Sequence, residues 1–105
     1  MSGFELTPDA TADIRRIRQY SLLQWGKLQT NKYLTQLTNS FFMLAEHPKL
    51  GSHRPDVRQD AYSFPCQSHI IYYISKTEKI IVFAVLHKHM APAQHLSERS
   101  IPPKN

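Results

Sequence analysis

Three nitrogen-bearing side chains, His87-Lys88-His89, follow directly on an uninterrupted apolar run, Ile80 to Leu86. On a strand, residues two apart point to the same side, so His87 and His89 would project together. An imidazole with an ordinary pKa of about 6.5 suits acid–base work near neutral pH. Arg54 and Arg58, in a polar stretch upstream, are the cations that could join them against an anion. His95 could complete a three-histidine set for a metal, but no Cys pair and no His-Glu-x-x-His spacing accompanies it, so no metal site is expected. Cys66 is the only cysteine. It excludes an intramolecular disulfide, fits a reducing compartment and reads as a small buried residue rather than a nucleophile.

The run before His87 is apolar on both parities, which describes a strand covered on both faces. It is expected to be the central strand of a small sheet. His69-Ile70-Ile71-Tyr72-Tyr73-Ile74 is a second such strand, and polar Ser75 to Lys79 joins the two as an antiparallel hairpin. Ala61 to Pro65 is a shorter strand with Tyr62 and Phe64 on one face, and Pro65 assigns it to an edge or an early end. His47 to Asp60 is loop, where the alternating Arg54, Asp56 and Arg58 would be solvated or paired.

The N-terminal half is helical. Phe4-Glu5-Leu6 alternates as a short strand. Thr7 can then cap a helix that has Pro8 at its first position and Asp9 at its positive end. Ala10, Ile14, Ile17, Ser21 and Trp25 share one face of it; Arg15, Arg16, Arg18 and Gln19 lie off that face. Gly26 stops this helix. A second, from Lys27 to Glu46, carries a core stripe of Thr30, Tyr33, Leu34, Leu37, Phe41, Leu44 and Ala45, and His47-Pro48 ends it. The short joint implies an antiparallel helical hairpin. Leu28 and Phe42 fall off the stripe, to cover a secondary cluster or to face a partner. Met90 to Leu96 could form one more helical turn, and Ser97 to Asn105 reads as a frayed tail. The fold expected is α+β, β-α-α-β-β-β, with one domain over residues 1–96 and a tail over 97–105.

A chain of 105 residues supports one core. Its net charge of +5 and pI of about 9.6 favour acidic partners without choosing among them. No signal-like segment opens the chain and no apolar run reaches the ~18 residues of a membrane span, so a cytoplasmic protein with no membrane partner is expected.

Several segments together resemble the ParE branch of the ParE/RelE toxins of bacterial toxin–antitoxin systems. They are Phe4-x-Leu6-Thr7-Pro8-x-Ala10, Asp13-Ile14-x-x-Ile17-x-x-Tyr20, Trp25-Gly26, Tyr33 and Leu44-Ala45-x-x-Pro48-x-x-Gly51-x-x-Arg54. Ser63-Phe64, His69-x-Ile71-x-Tyr73, Leu86-His87-x-x-Met90 and His95-Leu96 follow in order. The resemblance covers about residues 4 to 96. It implies a helical hairpin packed on a small twisted antiparallel sheet and a ParD-like antitoxin partner. It also implies inhibition of DNA gyrase by protein–protein contact rather than by enzymatic chemistry, without a cofactor.

The related RelE branch cleaves messenger RNA on the ribosome, and a ribonuclease here would use His87, His89, Arg58 and Lys88. Residues 61–74 and 80–86, however, contain no Arg or Lys to hold a phosphate, and no tyrosine follows Tyr73. The gyrase reading is therefore preferred. Arg54, Arg58, His87, Lys88, His89 and Met90 are the expected target-contacting set. Arg15, Arg16, Arg18, Leu28 and Phe42 are the expected antitoxin-contacting set. The assembly is expected to be a homodimer, suggested by a strand apolar on both faces, or a toxin–antitoxin hetero-oligomer, with no direct nucleic-acid binding outside that complex.

Overall fold

The computed structural model describes residues 3–96 and 99–101. Strand β1 (Gly3–Leu6) leads into helix α1 (Pro8–Glu46). The hydroxyl of Thr7 accepts the Ala10 N–H at 3.1 Å, with Pro8 and Asp9 in the first turn as their types predict. Gly26 divides α1. Its φ of 85° and ψ of 179° are not helical, so the helix folds into two arms, residues 8–25 and 27–46. Only glycine adopts that backbone without strain. Nothing lies within 4 Å of a Cβ built at Gly26. Gly26→Ala should therefore cost the strain alone, about 1–3 kcal/mol, read as a lower urea midpoint with an unchanged slope.

The first arm buries Ala10, Asp13, Ile17 and Ser21; the second buries Thr30, Tyr33, Leu37, Phe41, Leu44 and Ala45. Trp25 departs from its expected core position. It lies in the last turn before Gly26, 55% exposed, with its ring edge-on to Tyr20 at the hairpin tip.

Beyond α1 come a 3-10 turn (Pro48–Leu50), β2 (Ser52–His53), β3 (Ala61–Cys66), β4 (His69–Ser75), β5 (Lys79–His87) and α2 (Pro92–Leu96). The sheet order is β1-β5-β4-β3-β2. All neighbours are antiparallel except β1 and β5, which run parallel from Gly3↔Lys79 to Leu6↔Val82. The expected antiparallel sheet is thus mixed. A strand buried on both faces needs partners for both its hydrogen-bonding edges; β4 takes one edge of β5 and β1 the other. Pro65 has no outer neighbour, because β2 reaches only Tyr62 and Ser63.

The β4–β5 ladder contains a bulge. Tyr72 faces Ala84 and Tyr73 faces Val82, leaving Phe83 unmatched. Before the bulge, Ile80 and Val82 point under the helices; after it, Val85 does, while Ile81, Phe83, Ala84 and Leu86 take the opposite face. The extra residue reverses the alternation. It thereby turns His87 toward the helical hairpin. Val57, Leu96 and Ile101 pack against the opposite face. With both faces of β5 covered by its own chain, the sequence argument for burying it in a homodimer lapses.

Candidate functional site

A cleft of about 600 Å³ lies between the first arm of α1 and the adjoining ends of β4 and β5. Tyr20, Trp25 and Met90 give it an apolar rim; His69, His87 and His95 line it as well.

Two of these rings, His69 and His87, continue a row of three imidazoles that begins outside the cleft at exposed His89. The His87 and His89 rings lie 5.1 Å apart between centroids, and the backbone N–H of His89 donates to Nδ1 of His87 at 3.2 Å. His87 meets His69 edge-to-face at 5.5 Å across the β4–β5 pair. His69 Nδ1 is hydrogen-bonded to the Tyr33 hydroxyl at 2.5 Å. Tyr33 comes from the second arm, and its hydroxyl also donates to the Cys66 carbonyl at 3.3 Å. Burial pushes the Tyr33 pKa up. Burial, helped by repulsion from His87 and opposed by Asp13, pushes His69 down to about 4. The buried end of the row is therefore a neutral ring beside a neutral phenol at pH 7.

The sign of the His69 shift sets a pH dependence. The unfolded ring, with its pKa near 6.5, takes up a proton that the folded ring refuses until about 4. Its contribution to stability is complete above about 6.5 and is lost as pH falls toward 4. Urea midpoints measured from pH 7.5 to 4 should fall less steeply in His69→Gln than in the wild type. Parallel curves would mean that His69 keeps an ordinary pKa in the fold.

The cleft floor is an ion cluster. Asp13 is 3% exposed. Its carboxylate accepts two bonds from Arg99, at 2.6 and 3.0 Å, and one from Arg16 at 2.6 Å. It also accepts the Val85 N–H at 2.9 Å, while Arg99 donates to the Phe83 carbonyl at 3.0 Å. The ladder with β1 ends at Val82, so the two side chains satisfy the edge of β5 just where its neighbouring strand stops. The carboxylate holds the Arg99 pKa above its ordinary value. Fraying was expected from Ser97 onward, but Arg99 is fastened into the domain. Ser97, Glu98 and residues 102–105 of that tail lie outside the described residues.

The expected target-contacting residues do not form one surface. His87, Lys88, His89 and Met90 gather at the cleft end of β5. Arg54 lies at the other end of the sheet, where its N–H donates to Ala61, and on the other face, over the Tyr72 ring. It pairs with Asp56 through bonds of 3.0 and 2.9 Å, and Arg58 pairs with Asp60 at 2.8 Å. Of the antitoxin-contacting set, Arg15, Arg16 and Arg18 are exposed on the first arm. Leu28 is 86% exposed near the tip, and Phe42 is exposed as well, with its ring edge-on against Phe4. Leu23, equally exposed, joins Leu28 and Trp25 in an apolar tip that sequence reasoning left unassembled.

Asp13, Tyr33, His69 and Arg99 were not singled out as site residues. Asp13 carried a readable signal: it lies at core spacing between Ala10 and Ile17, and a carboxylate there demands a buried partner. Nothing local could have joined Tyr33 to His69, 36 residues away.

The family described as "ParE toxin of type II toxin-antitoxin system, parDE" matches residues 4–92. Toxin ParE1 of Caulobacter vibrioides is 30% identical over 96 residues, covering 91% of this chain and 99% of that protein. Toxin ParE of Escherichia coli is 26% identical over 100 residues, covering 94% and 97%. In fold, the chain is similar to a solved structure described as the chromosomal ParDE TA system from P. aeruginosa. The TM-score is 0.71 at 16% identity, over 83% of this chain and 96% of that one.

Proposed function

Because the chain belongs to the ParE toxin family of type II toxin–antitoxin systems, we propose that it inhibits DNA gyrase by protein–protein contact in the cytoplasm and is neutralised by a ParD-like antitoxin. The observation that carries this reading is a family match running through nearly the whole chain, from β1 to the start of α2. The chemistry of the fold supports a contact mechanism. Residues 61–74 and 80–86 offer no cation to hold a phosphate, and the two arginines that line the cleft, Arg16 and Arg99, are both bound to Asp13.

The antitoxin surface is proposed to be the hairpin, with Arg15, Arg16 and Arg18 meeting acidic side chains and Leu28 and Phe42 meeting apolar ones. A disordered acidic segment that folds on binding needs both. The gyrase surface is proposed to be His87, Lys88, His89 and Met90, with Arg54 and Arg58 as a separate contact. Leu28→Asp should weaken antitoxin binding at least tenfold, about 1.4 kcal/mol, in titration calorimetry, with an unchanged helical circular dichroism spectrum. Phe42→Asp should do the same, although it also disturbs Phe4. Unchanged affinity in Leu28→Asp would remove the tip from the interface.

One observation favours a second reading, a ribosome-dependent messenger endoribonuclease. Tyr33 and His69 supply a tyrosine–histidine pair beside His87, although no tyrosine follows Tyr73 in the chain. One experiment separates the two. The protein is incubated with gyrase, ATP and supercoiled plasmid, quenched with detergent and protease, and added in parallel to a translation extract. Gyrase-dependent linear plasmid with intact messenger is the expected result. Intact plasmid with messenger cut at the ribosome would assign the ribonuclease activity instead.

A further inference from the structure

Residues 14–45, most of the hairpin, contain five of the 13 cations and none of the eight acids. The eight cations and eight acids elsewhere cancel, so this stretch carries a charge equal to the whole net +5, although Asp9, Asp13 and Glu46 at the two ends of α1 bring the complete helix to +2. Arg16 is spoken for by Asp13. Arg15, Arg18, Lys27 and Lys32 are all exposed, and among the described residues none of them has a carboxylate within ion-pairing distance. A helix surface adapted only to water usually interleaves both signs at i,i+4 spacing. Beside the cations along the arms, neutral hydrogen-bonding groups are exposed, among them Gln19, Gln24, Gln29, Asn31 and Gln36, while Leu23, Trp25 and Leu28 are exposed at the tip.

We propose that the exposed side of this acid-free stretch of the hairpin binds duplex DNA through its phosphates. Spread cations with amide donors between them match the contacts that position a protein on a DNA backbone without reading sequence. Charge complementarity selects a polyanion, and the amides along the arms suit phosphate and sugar oxygens better than an apolar surface. The apolar residues concentrate at the tip instead, where Leu23, Trp25 and Leu28 could press into a groove. This reverses the sequence expectation that the isolated chain leaves nucleic acid alone. It goes beyond the gyrase reading and does not depend on it. An acidic antitoxin segment on the same arms would exclude DNA from them.

The test uses the full-length protein alone, with a fluorescently labelled 30-base-pair duplex of arbitrary sequence in an anisotropy titration. Four phosphate contacts predict that affinity falls about 100-fold as salt rises from about 50 to 200 mM. Replacing Arg15, Arg18, Lys27 and Lys32 together by Gln should abolish binding at the lower salt. Gln is a good helix former, and circular dichroism checks that the hairpin persists. A charge-matched variant, with Lys49, Arg58, Lys76 and Lys88 replaced by Gln, should bind as the wild type does. Equal losses in the two variants would mean that net charge alone attracts DNA, and would overturn the assignment to the hairpin. So would no binding by the wild type at 50 mM salt, or binding to phosphatidylserine vesicles without binding to the duplex. None of these outcomes bears on gyrase, which is absent from the assay.

Discussion

Asp13→Ala should destabilise the protein by about 3–5 kcal/mol, the usual cost of removing one partner from a buried ion pair. The loss has three parts, all at one carboxylate. Arg99 keeps its charge but loses both of its bonds to that carboxylate; the Val85 N–H loses its acceptor; and Arg16 is released to solvent. The third part is minor, since the Arg16 side chain is already 65% exposed and exposed pairs contribute about 0–1 kcal/mol. Most of the effect therefore comes from an uncompensated guanidinium and an orphaned strand edge. Urea unfolding at pH 7 measures it. The double variant Asp13→Ala/Arg99→Met should recover part of the loss, because no buried charge is then left unpaired. If Asp13→Ala cost less than about 0.5 kcal/mol, a typical surface value, or if the two substitutions simply added, the clasp would contribute nothing.

Phe83→Ala should cost a comparable amount, about 3–5 kcal/mol. Phe83 is 2% exposed and is the extra residue of the β5 bulge. Its ring lies against Tyr72, in the cluster that Leu96 and Ile101 help to cover. Deleting it leaves a cavity that the rigid ladder on either side cannot close. Leu23→Ala is the matched control: 86% exposed, it should change stability by no more than about 0.5 kcal/mol. The same urea series reads both. A loss below about 1 kcal/mol in Phe83→Ala would show that the face of the sheet away from the helices is not a packed core.

The element pattern was determined locally. Thr7, Pro8 and Asp9 start the helix because capping and dipole effects act within one turn. Gly26 breaks it because only glycine tolerates its φ of 85°. The stripe from Thr30 to Ala45 and the runs of β4 and β5 showed their burial through period alone. The motifs spread from Phe4 to Leu96 were enough to suggest the family, since they follow one another at family spacing along the whole chain.

Periodicity states that a face is buried, but not by what. The parallel pairing of β1 with β5 joins residues about 76 apart, as at Gly3 and Lys79, and no local preference distinguishes it from an antiparallel pairing. Trp25 shares the helical phase of Ile17 and Ser21, yet it lies at the hairpin tip where no strand remains to cover it. The bulge at Phe83 is invisible in a run where every residue is apolar, and yet it decides which face His87 joins. Arg54 and His87 looked like parts of one surface until the register set them at opposite ends of the sheet. The Asp13–Arg99 pair, 86 residues apart, and the meeting of Tyr33 with His69 exist only because the fold closes those loops. Side-chain type and spacing settled the elements and their buried faces; strand register and chain closure alone settled which polar groups meet in the cleft.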